Sequence, residues 1–206
     1  QLTSGNWDVT DYYGTDVTKK IFYYQSAESS PLERKVYSVD LKGRKKCLTT
    51  DAGTHIALFN STCSYFIDNF SSLQQPTNSI VFNASGIKIR TIEENALLKS
   101  EVEKLDLPQK EFFSFETTDG IVLNGWMLKP SNFEQGEKYP VLMVQYSGPS
   151  SQEVRNRWSI DWEYYLAQKG YMVVCVDGRG TGARGEYFRK CTYRNLGKIE
   201  VFDQVA

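Results

Sequence analysis

Two continuous apolar runs constrain the fold of this chain more than any other feature. The runs are VLMVQY at 141–146 and YMVVCVD at 171–177, and SIDWEYYLAQKG between them has the pattern of a helix that ends at Gly170. Neither run alternates polar with apolar residues, which is typical of a parallel strand buried on both faces. A strand, a helix and a second strand within one short unit therefore predict a crossover connection and a parallel sheet.

A hairpin precedes the first of these runs. The stretch EFFSFETTDGIVLNGWMLKP at 111–130 contains two β-type runs around Asp119-Gly120, a strong turn signal, so 141–146 becomes the third strand of the sheet. The last residues, EVFDQVA at 200–206, indicate the opening of another helix. We expect the sheet of the isolated chain to end in an exposed apolar edge after 171–177, and the chain to fold poorly by itself.

Residues up to about 93 follow a different pattern. Short runs rich in Tyr, Phe, Ile and Val alternate with turn signals, of which Asp40-Leu41-Lys42-Gly43 resembles a hairpin tip. The runs are KIFYYQ, KVYSVDL, HIALF, SYFIDNF, SIVF and KIRTI. Such spacing indicates a sandwich, a barrel or a propeller and does not choose among them.

A candidate linker helix separates the two patterns. In ENALLKSEVEKL, Asn95 is the predicted N-cap, and Leu98, Val102 and Leu105 fall on one helical face. Pro108 is the predicted stop.

Composition excludes several classes of partner. The 206 residues carry 24 Lys and Arg against 25 Asp and Glu, a net charge of -1. This balance gives no indication of a basic face that would bind nucleic acid or an anionic membrane. No apolar run reaches the length of a bilayer span, and the N-terminus lacks a charged-then-apolar leader, so we expect neither a transmembrane nor a signal segment in this chain.

Cysteines and glycosylation triplets carry little functional information. The cysteines show no CxxC spacing and no clustering with histidine, so we expect no metal site, while their even number leaves disulfides open. They are Cys47, Cys63, Cys175 and Cys191. We interpret the Asn-x-Ser/Thr triplets as turn residues. The triplets begin at Asn60, Asn69 and Asn83.

The glycine-rich stretch GRGTGARG at 178–185 follows the second apolar run. Its spacing fits neither a dinucleotide fingerprint nor a P-loop, so we predict no phosphate-binding cofactor. We expect a tight loop in which glycines adopt positive φ while Arg179 and Arg184 pair with carboxylates or backbone carbonyls.

A complete Ser-His-Asp triad cannot be built from these residues. His55 is the single histidine, it lies in the strand-rich half, and no G-x-S-x-G is present. We interpret His55 as a structural or surface residue, and we expect the 206-residue chain by itself to be catalytically inactive.

The third strand ends in an unusual way, with Tyr146 before Ser147, Gly148 and Pro149. In α/β-hydrolases the loop after the third strand supplies one donor of the oxyanion hole. A phenol at that strand end can aim its O–H into the site, while Gly148 allows a close turn and Pro149 restricts φ. The alternative is ordinary packing of the ring.

Five segments together carry a resemblance to a known family. They are IFYYQSAESSPLERKVYSVDLKG, AGTHIALFN, KYPVLMVQYSGPSSQ, DWEYYLAQKGYMVVCVDGRGTGARG and LGKIEVFDQ. With them the chain resembles the dipeptidyl peptidase IV group of the prolyl oligopeptidase family, over essentially all 206 residues. The resemblance implies β-propeller strands at 1–93, a linker helix at 94–106 and the first part of an α/β-hydrolase domain at 107–206.

The resemblance also implies a function for the parent protein. Members are serine exopeptidases that release N-terminal dipeptides with Pro or Ala second, without a cofactor, and they are expected to be homodimers. The best-matching members are bacterial, which implies the periplasm or the cell surface. The nucleophile elbow, the triad Asp and His and the acidic pair for the substrate amine are expected outside residues 1–206.

Few residue roles transfer from the family. Tyr146 falls on the oxyanion tyrosine, whereas Asp177, Arg179 and Arg184 are interpreted as scaffolding. Trp158 and Trp162 are expected to pack the crossover helix onto the sheet. Two alternative functions stay open: a non-catalytic binding homologue with this fold, and an acylaminoacyl-peptidase or oligopeptidase relative.

Overall fold

A computed structural model describes all 206 residues and divides them into two compact units. The first unit comprises 1–99, 155–158 and 183–186, and the second comprises 100–154, 159–182 and 187–206.

The first unit consists of two antiparallel four-stranded sheets in which chain neighbours are also sheet neighbours. One sheet contains β1 (Val9–Asp16), β2 (Ile21–Ser26), β3 (Lys35–Asp40) and β4 (Lys45–Cys47). The other contains β5 (Thr54–Phe59), β6 (Tyr65–Ser72), β7 (Gln75–Asn83) and β8 (Lys88–Glu93). Successive four-stranded meanders are the blade pattern of a β-propeller, which decides among the three architectures that strand spacing left open.

Aromatic and aliphatic side chains form the core of this unit. Tyr23 of β2, Val36 of β3 and Phe66 of β6 are buried in one cluster. The Phe66 ring stacks on Phe59 and Phe82, with centroid separations of 4.7 and 5.3 Å. Apolar side chains of β2, β3, β5, β6 and β7, five of the six strands that the sequence predicts, thus contribute to this core. The sequence did not indicate β1, whose pairing with β2 contains register shifts, or the short β4.

His55 is buried within the same unit, with only 2% of its surface exposed. Its Nδ1 lies 2.6 Å from Asp68 Oδ2, and its Nε2 lies 3.0 Å from the Asp51 carbonyl oxygen. Burial raises the pKa of the Asp68 carboxyl, and the His55 contact opposes that rise. Both ring nitrogens are occupied, so His55 is a structural residue.

Two asparagine predictions are wrong. Asn60 and Asn83 do sit in turns, where each side-chain oxygen accepts two backbone N–H groups. Asn69 instead lies inside β6, and its side-chain oxygen accepts a hydrogen bond from Ser79 at 2.7 Å. Asn95 has a φ of 52° and its side-chain amide donates to the Thr77 carbonyl, so its side chain does not cap the following helix.

That helix, α1 (Ala96–Glu103), forms where the sequence predicts a linker, and it contains no buried residue. Its predicted apolar face therefore covers no core. It ends before the expected stop at Pro108.

The second unit contains one four-stranded sheet and two complete helices, while α1 and a helix at 185–190 are divided between the two units. In chain order the elements are β9 (Lys110–Glu116), β10 (Val122–Leu128), β11 (Val141–Met143), α2 (Trp162–Gln168), β12 (Met172–Asp177), α3 (Gly185–Lys190) and α4 (Ile199–Val205). The sheet order is β11-β12-β10-β9. The hairpin β9–β10 is antiparallel and β11 pairs with β12 in parallel, as predicted, while β10 and β12 are antiparallel.

The prediction that 141–146 is buried on both faces is wrong. Strand β11 spans three residues at the edge of the sheet, and Val141 and Met143 are 60% and 41% exposed. It pairs on one side only, so its outer edge and faces meet solvent. Strand β12 is the buried central strand, and the exposed apolar edge therefore follows β11 rather than 171–177.

The prediction for the two tryptophans is also wrong. Trp162 is 50% exposed, and Trp158 precedes α2 and belongs to the first unit. The buried residues of α2 are Glu163, Tyr164 and Ala167. The helix begins at Asp161, whose side chain accepts the Trp162 N–H, and ends before Gly170 at a φ of 91°, as the sequence predicts.

A buried ion pair links α2 to the sheet. Lys110 Nζ on β9 lies 3.1 Å from Glu163 Oε1 on α2. The same ammonium group lies 4.2 Å from the ring centroid of Trp126 on β10, and 5.3 Å from that of Tyr164. The cation thus has both a carboxylate and two aromatic faces as partners.

We predict that Glu163→Ala lowers the free energy of unfolding by about 3–5 kcal/mol, because it leaves the Lys110 ammonium buried without a counter-charge. The double variant Lys110→Met/Glu163→Leu should recover most of this loss. Urea unfolding of a full-length protein that carries this segment tests both. Equal stability of Glu163→Ala and wild type would contradict the prediction.

All four cysteines are free thiols, which answers the disulfide question that the sequence left open. Cys47 is exposed, whereas Cys63 and Cys175 are buried. Burial raises the pKa of the Cys175 thiol to about 12, with nearby Asp177 adding to the rise.

We predict that iodoacetamide at mildly alkaline pH alkylates Cys47 much faster than Cys175, because the thiolate is the nucleophile and Cys175 stays protonated. Peptide mass spectrometry over time measures both rates, and Cys47→Ser is the control for the fast site. If Cys175 in the folded protein were alkylated as fast as Cys47, the prediction that the Cys175 thiol is buried and protonated would be contradicted.

Candidate functional site

The loop after β11 presents Tyr146 to solvent. The last ladder bond of the strand is donated by the Val144 N–H to the Val174 carbonyl at 2.8 Å, two residues before Tyr146. Tyr146 is 66% exposed. Its hydroxyl is therefore available to donate a hydrogen bond to a group from outside the chain.

Gly148 packs against the ring of Tyr146. Gly148 begins the expected close turn, although its own φ is not positive. A Cβ at position 148 would lie 2.9 Å from Tyr146 Cζ and 3.0 Å from Oη, so the exposed ring would have to shift to make room for it. The aromatic ring thus lies directly over the glycine backbone.

A turn follows immediately. The Ser151 N–H donates to the Gly148 carbonyl at 3.0 Å, with Pro149 as the first central residue. Ser150, the second central residue, has a φ of 65°, which matches a type II turn that glycine usually completes. This left-handed conformation costs a non-glycine residue roughly 1–2 kcal/mol. The Ser150 N–H is held by the Gly180 carbonyl at 2.8 Å.

The Ser151 hydroxyl bonds back to the start of the loop. Its Oγ lies 2.8 Å from the Tyr146 carbonyl oxygen and 2.6 Å from that of Gly148. The Ser151 carbonyl in turn accepts the Gly182 N–H at 2.9 Å.

Asp177, at the end of β12, holds the far end of the loop. Its Oδ1 accepts the Glu153 N–H at 3.0 Å and its Oδ2 accepts the Val154 N–H at 2.8 Å. Val154 is fully buried beside these bonds. The predicted scaffolding role of Asp177 thus has a geometric basis within the second unit.

Arg179 also acts as scaffolding. Its guanidinium bonds Asp203 on α4 at 2.6 Å and Asp119 in the β9–β10 turn at 2.7 Å. The Asp203 and Asp119 hydrogen bonds raise the pKa of Arg179, and the Thr117 hydroxyl followed by Arg179 lowers the pKa of Asp119. The pairing of Arg179 with carboxylates is as predicted.

The glycine-rich stretch forms the predicted tight loop. Gly180 and Gly185 have φ values of 96° and 83°, whereas Gly178 and Gly182 avoid the left-handed region. The Thr181 hydroxyl closes the loop by donating to the Gly178 carbonyl at 2.7 Å.

The loop after β11 therefore contains the predicted residues 146–149, and Asp177 and the 178–182 stretch bond to its backbone. Ser147 Oγ donates to Gln145 Oε1 at 2.9 Å, and Gln204 of α4 donates to the Val176 carbonyl at 3.1 Å. Ser151 and Gln204 were not singled out by the sequence, because a lone polar residue carries no periodic signal. Across the chain, acidic, cysteine and histidine side chains form no cluster that could hold a metal ion. No helix is long and apolar enough to cross a bilayer.

Two family descriptions match separate parts of the chain. Residues 1–77 match the dipeptidyl peptidase IV (DPP IV) N-terminal region, and residues 158–206 match the prolyl oligopeptidase family.

Similar individual proteins are fungal and bacterial. The chain is 35% identical to a probable dipeptidyl-aminopeptidase B of Chaetomium globosum and 37% identical to dipeptidyl-aminopeptidase B of Aspergillus niger, in both cases over its whole length and 23% of the relative. The crystal structure of Porphyromonas gingivalis dipeptidyl peptidase 4 aligns with the whole chain and 29% of its own length, at 51% identity and a TM-score of 0.95. The chain thus spans about a quarter of the length of the curated relatives it matches.

We predict that Gly148→Ala moves the Tyr146 ring with a stability loss below about 1 kcal/mol, because the displaced side chain is on the surface. The ¹⁹F NMR signal of fluorotyrosine at 146, assigned with Tyr146→Phe, measures the movement. Gly136→Ala is the control: it has open space but a φ of 99°, so it should lose stability without moving that signal. An unchanged signal in Gly148→Ala would contradict the prediction.

Proposed function

Since the chain belongs to the dipeptidyl peptidase IV-like members of the prolyl oligopeptidase family, we propose that a full-length protein carrying it is a serine-type dipeptidyl peptidase. Its substrates are peptides, from which it releases N-terminal dipeptides whose second residue is Pro or Ala. In this proposal residues 1–93 are β-propeller strands, 94–106 a linker and 107–206 the first part of the α/β-hydrolase peptidase domain.

The observation that carries the proposal is the exposed Tyr146 in the loop that follows β11, the third strand of the hydrolase sheet along the chain. When a serine attacks a peptide carbonyl, negative charge develops on the carbonyl oxygen, and a donor already in place stabilises that charge. We assign this role to Tyr146. The nucleophile and its base are assigned to sequence outside these residues, because G-x-S-x-G is absent here and both nitrogens of His55 are occupied.

We also propose that the full-length protein is a homodimer and acts in the periplasm or at the cell surface of a bacterium. The resemblance to bacterial members supports both statements. The near-neutral charge balance of the chain is compatible with a peptide substrate and offers no basic face for nucleic acid.

Tyr146→Phe in the full-length protein should lower kcat by about 10²–10³, roughly 2.7–4 kcal/mol, because one oxyanion donor is lost while the ring remains. KM and Tm should stay nearly unchanged. Release of p-nitroaniline from Gly-Pro-p-nitroanilide measures the rates. Tyr165→Phe, which removes a hydroxyl from an exposed ring of α2, should leave them unchanged.

Other outcomes favour the alternatives. A kcat within about twofold of wild type, or ~0.4 kcal/mol, would make Tyr146 a packing residue. A folded protein that cleaves no chromogenic substrate would be a non-catalytic homologue. Preference for N-acetylated substrates or for internal bonds would indicate an acylaminoacyl-peptidase or oligopeptidase relative.

A further inference from the structure

The backbone of Tyr146 needs support that the sheet does not provide. The strand ladder ends with the Val144 N–H, so Tyr146 lies beyond the last bond that fixes β11 to β12. Its exposed ring packs on Gly148, which offers no side chain to hold it. An oxyanion donor must nevertheless stay in place, since a displacement of about 1 Å can cost about 10²-fold in rate.

We infer that Ser151 is the positioning residue for Tyr146. This inference rests on the proposed function. The single proton of the Ser151 hydroxyl is shared between the carbonyl oxygens of Tyr146, at 2.8 Å, and Gly148, at 2.6 Å, and so ties the Tyr146 backbone to the turn. Ser151 does not touch the substrate; it acts through the Tyr146 backbone.

Ser151 can hold Tyr146 because Ser151 is itself held on both sides. Its N–H bonds Gly148, and its carbonyl accepts the Gly182 N–H from the loop that follows β12. Two residues further on, the Asp177 carboxylate fixes the backbone at 153 and 154. The hydroxyl of Ser151 therefore connects Tyr146 to the buried central strand.

A simple turn-stabilising role would not explain the contact with Tyr146. The turn is closed by the Ser151 N–H and the Gly148 carbonyl, and the hydroxyl contact with Gly148 belongs to the same turn. The contact with Tyr146 reaches five residues back, outside the turn. Removal of the hydroxyl should therefore affect Tyr146 more than it affects folding.

The test is a double-mutant cycle between positions 151 and 146 in the full-length protein. We expect Ser151→Ala to lower kcat at least about tenfold, with KM and Tm nearly unchanged. In the Tyr146→Phe background the same substitution should change kcat less than about twofold, because no phenol is left to position. Ser151→Thr, which keeps the hydroxyl, should have a higher kcat than Ser151→Val, which has the same shape but no hydroxyl. Ser114→Ala, an exposed serine on β9, is the control.

The kinetic results distinguish a failure of the positioning role from a failure of the proposed function. If Tyr146→Phe lowers kcat and Ser151→Ala does not, the role of Ser151 is wrong and the proposed function stands. If Ser151→Ala lowers kcat equally in both backgrounds, Ser151 acts on something other than Tyr146 and the inference is overturned.

A second measurement does not depend on peptidase activity. Amide hydrogen exchange at 146–148, followed by mass spectrometry, should be faster in Ser151→Ala than in wild type, and in Ser151→Thr it should have the wild-type rate. If the protein cleaves no substrate, the proposed function fails, and unchanged exchange would then overturn the positioning role as well.

Discussion

The candidate site depends on the two hydrogen bonds that the carboxylate of Asp177 accepts from the backbone. This carboxylate lies at the end of the buried central strand, and each of its oxygens accepts one backbone N–H from the loop that starts at Tyr146. These two hydrogen bonds attach the loop to the end of β12. The strained Ser150 and the exposed Tyr146 are both tied to backbone near that anchor.

Each unit contains a buried polar pair among aromatic rings. In the first unit His55 Nδ1 lies 2.6 Å from Asp68 Oδ2, and its Nε2 lies 3.0 Å from the Asp51 carbonyl oxygen. In the second unit the ammonium of Lys110 lies 3.1 Å from the carboxylate of Glu163. Removal of one partner leaves a polar group that the apolar surroundings cannot solvate.

The sequence predicted most elements because their signals are local. Tyr, Phe, Ile and Val in short runs indicated six strands of the first unit, and Asp119-Gly120 and Gly170 marked a turn and a helix end. The family resemblance then selected Tyr146. None of this required knowledge of distant contacts.

The errors concern burial and partners, which local patterns do not encode. Val141 is apolar, yet it lies on a sheet edge because β12 inserts between β10 and β11. Trp162 was expected on the sheet, but Glu163 occupies that face because Lys110 lies opposite. The Asp203 partner of Arg179 and the Ser151 contact depend on turns and helices whose positions single residues cannot specify.

The strand order also determines when the site can form. Strands β9 and β10 are joined by a tight turn and can pair early, whereas β12 reaches its place between β10 and β11 only after a long stretch of chain has closed a loop. Such non-local pairing is slow, because the entropy of loop closure opposes it before the contacts form. Asp177 arrives with β12. During synthesis Tyr146 therefore leaves the ribosome before Asp177, and its loop is anchored only after β12 has paired. The nascent chain thus passes through a stage in which the sheet has begun to form and the loop is not yet fixed.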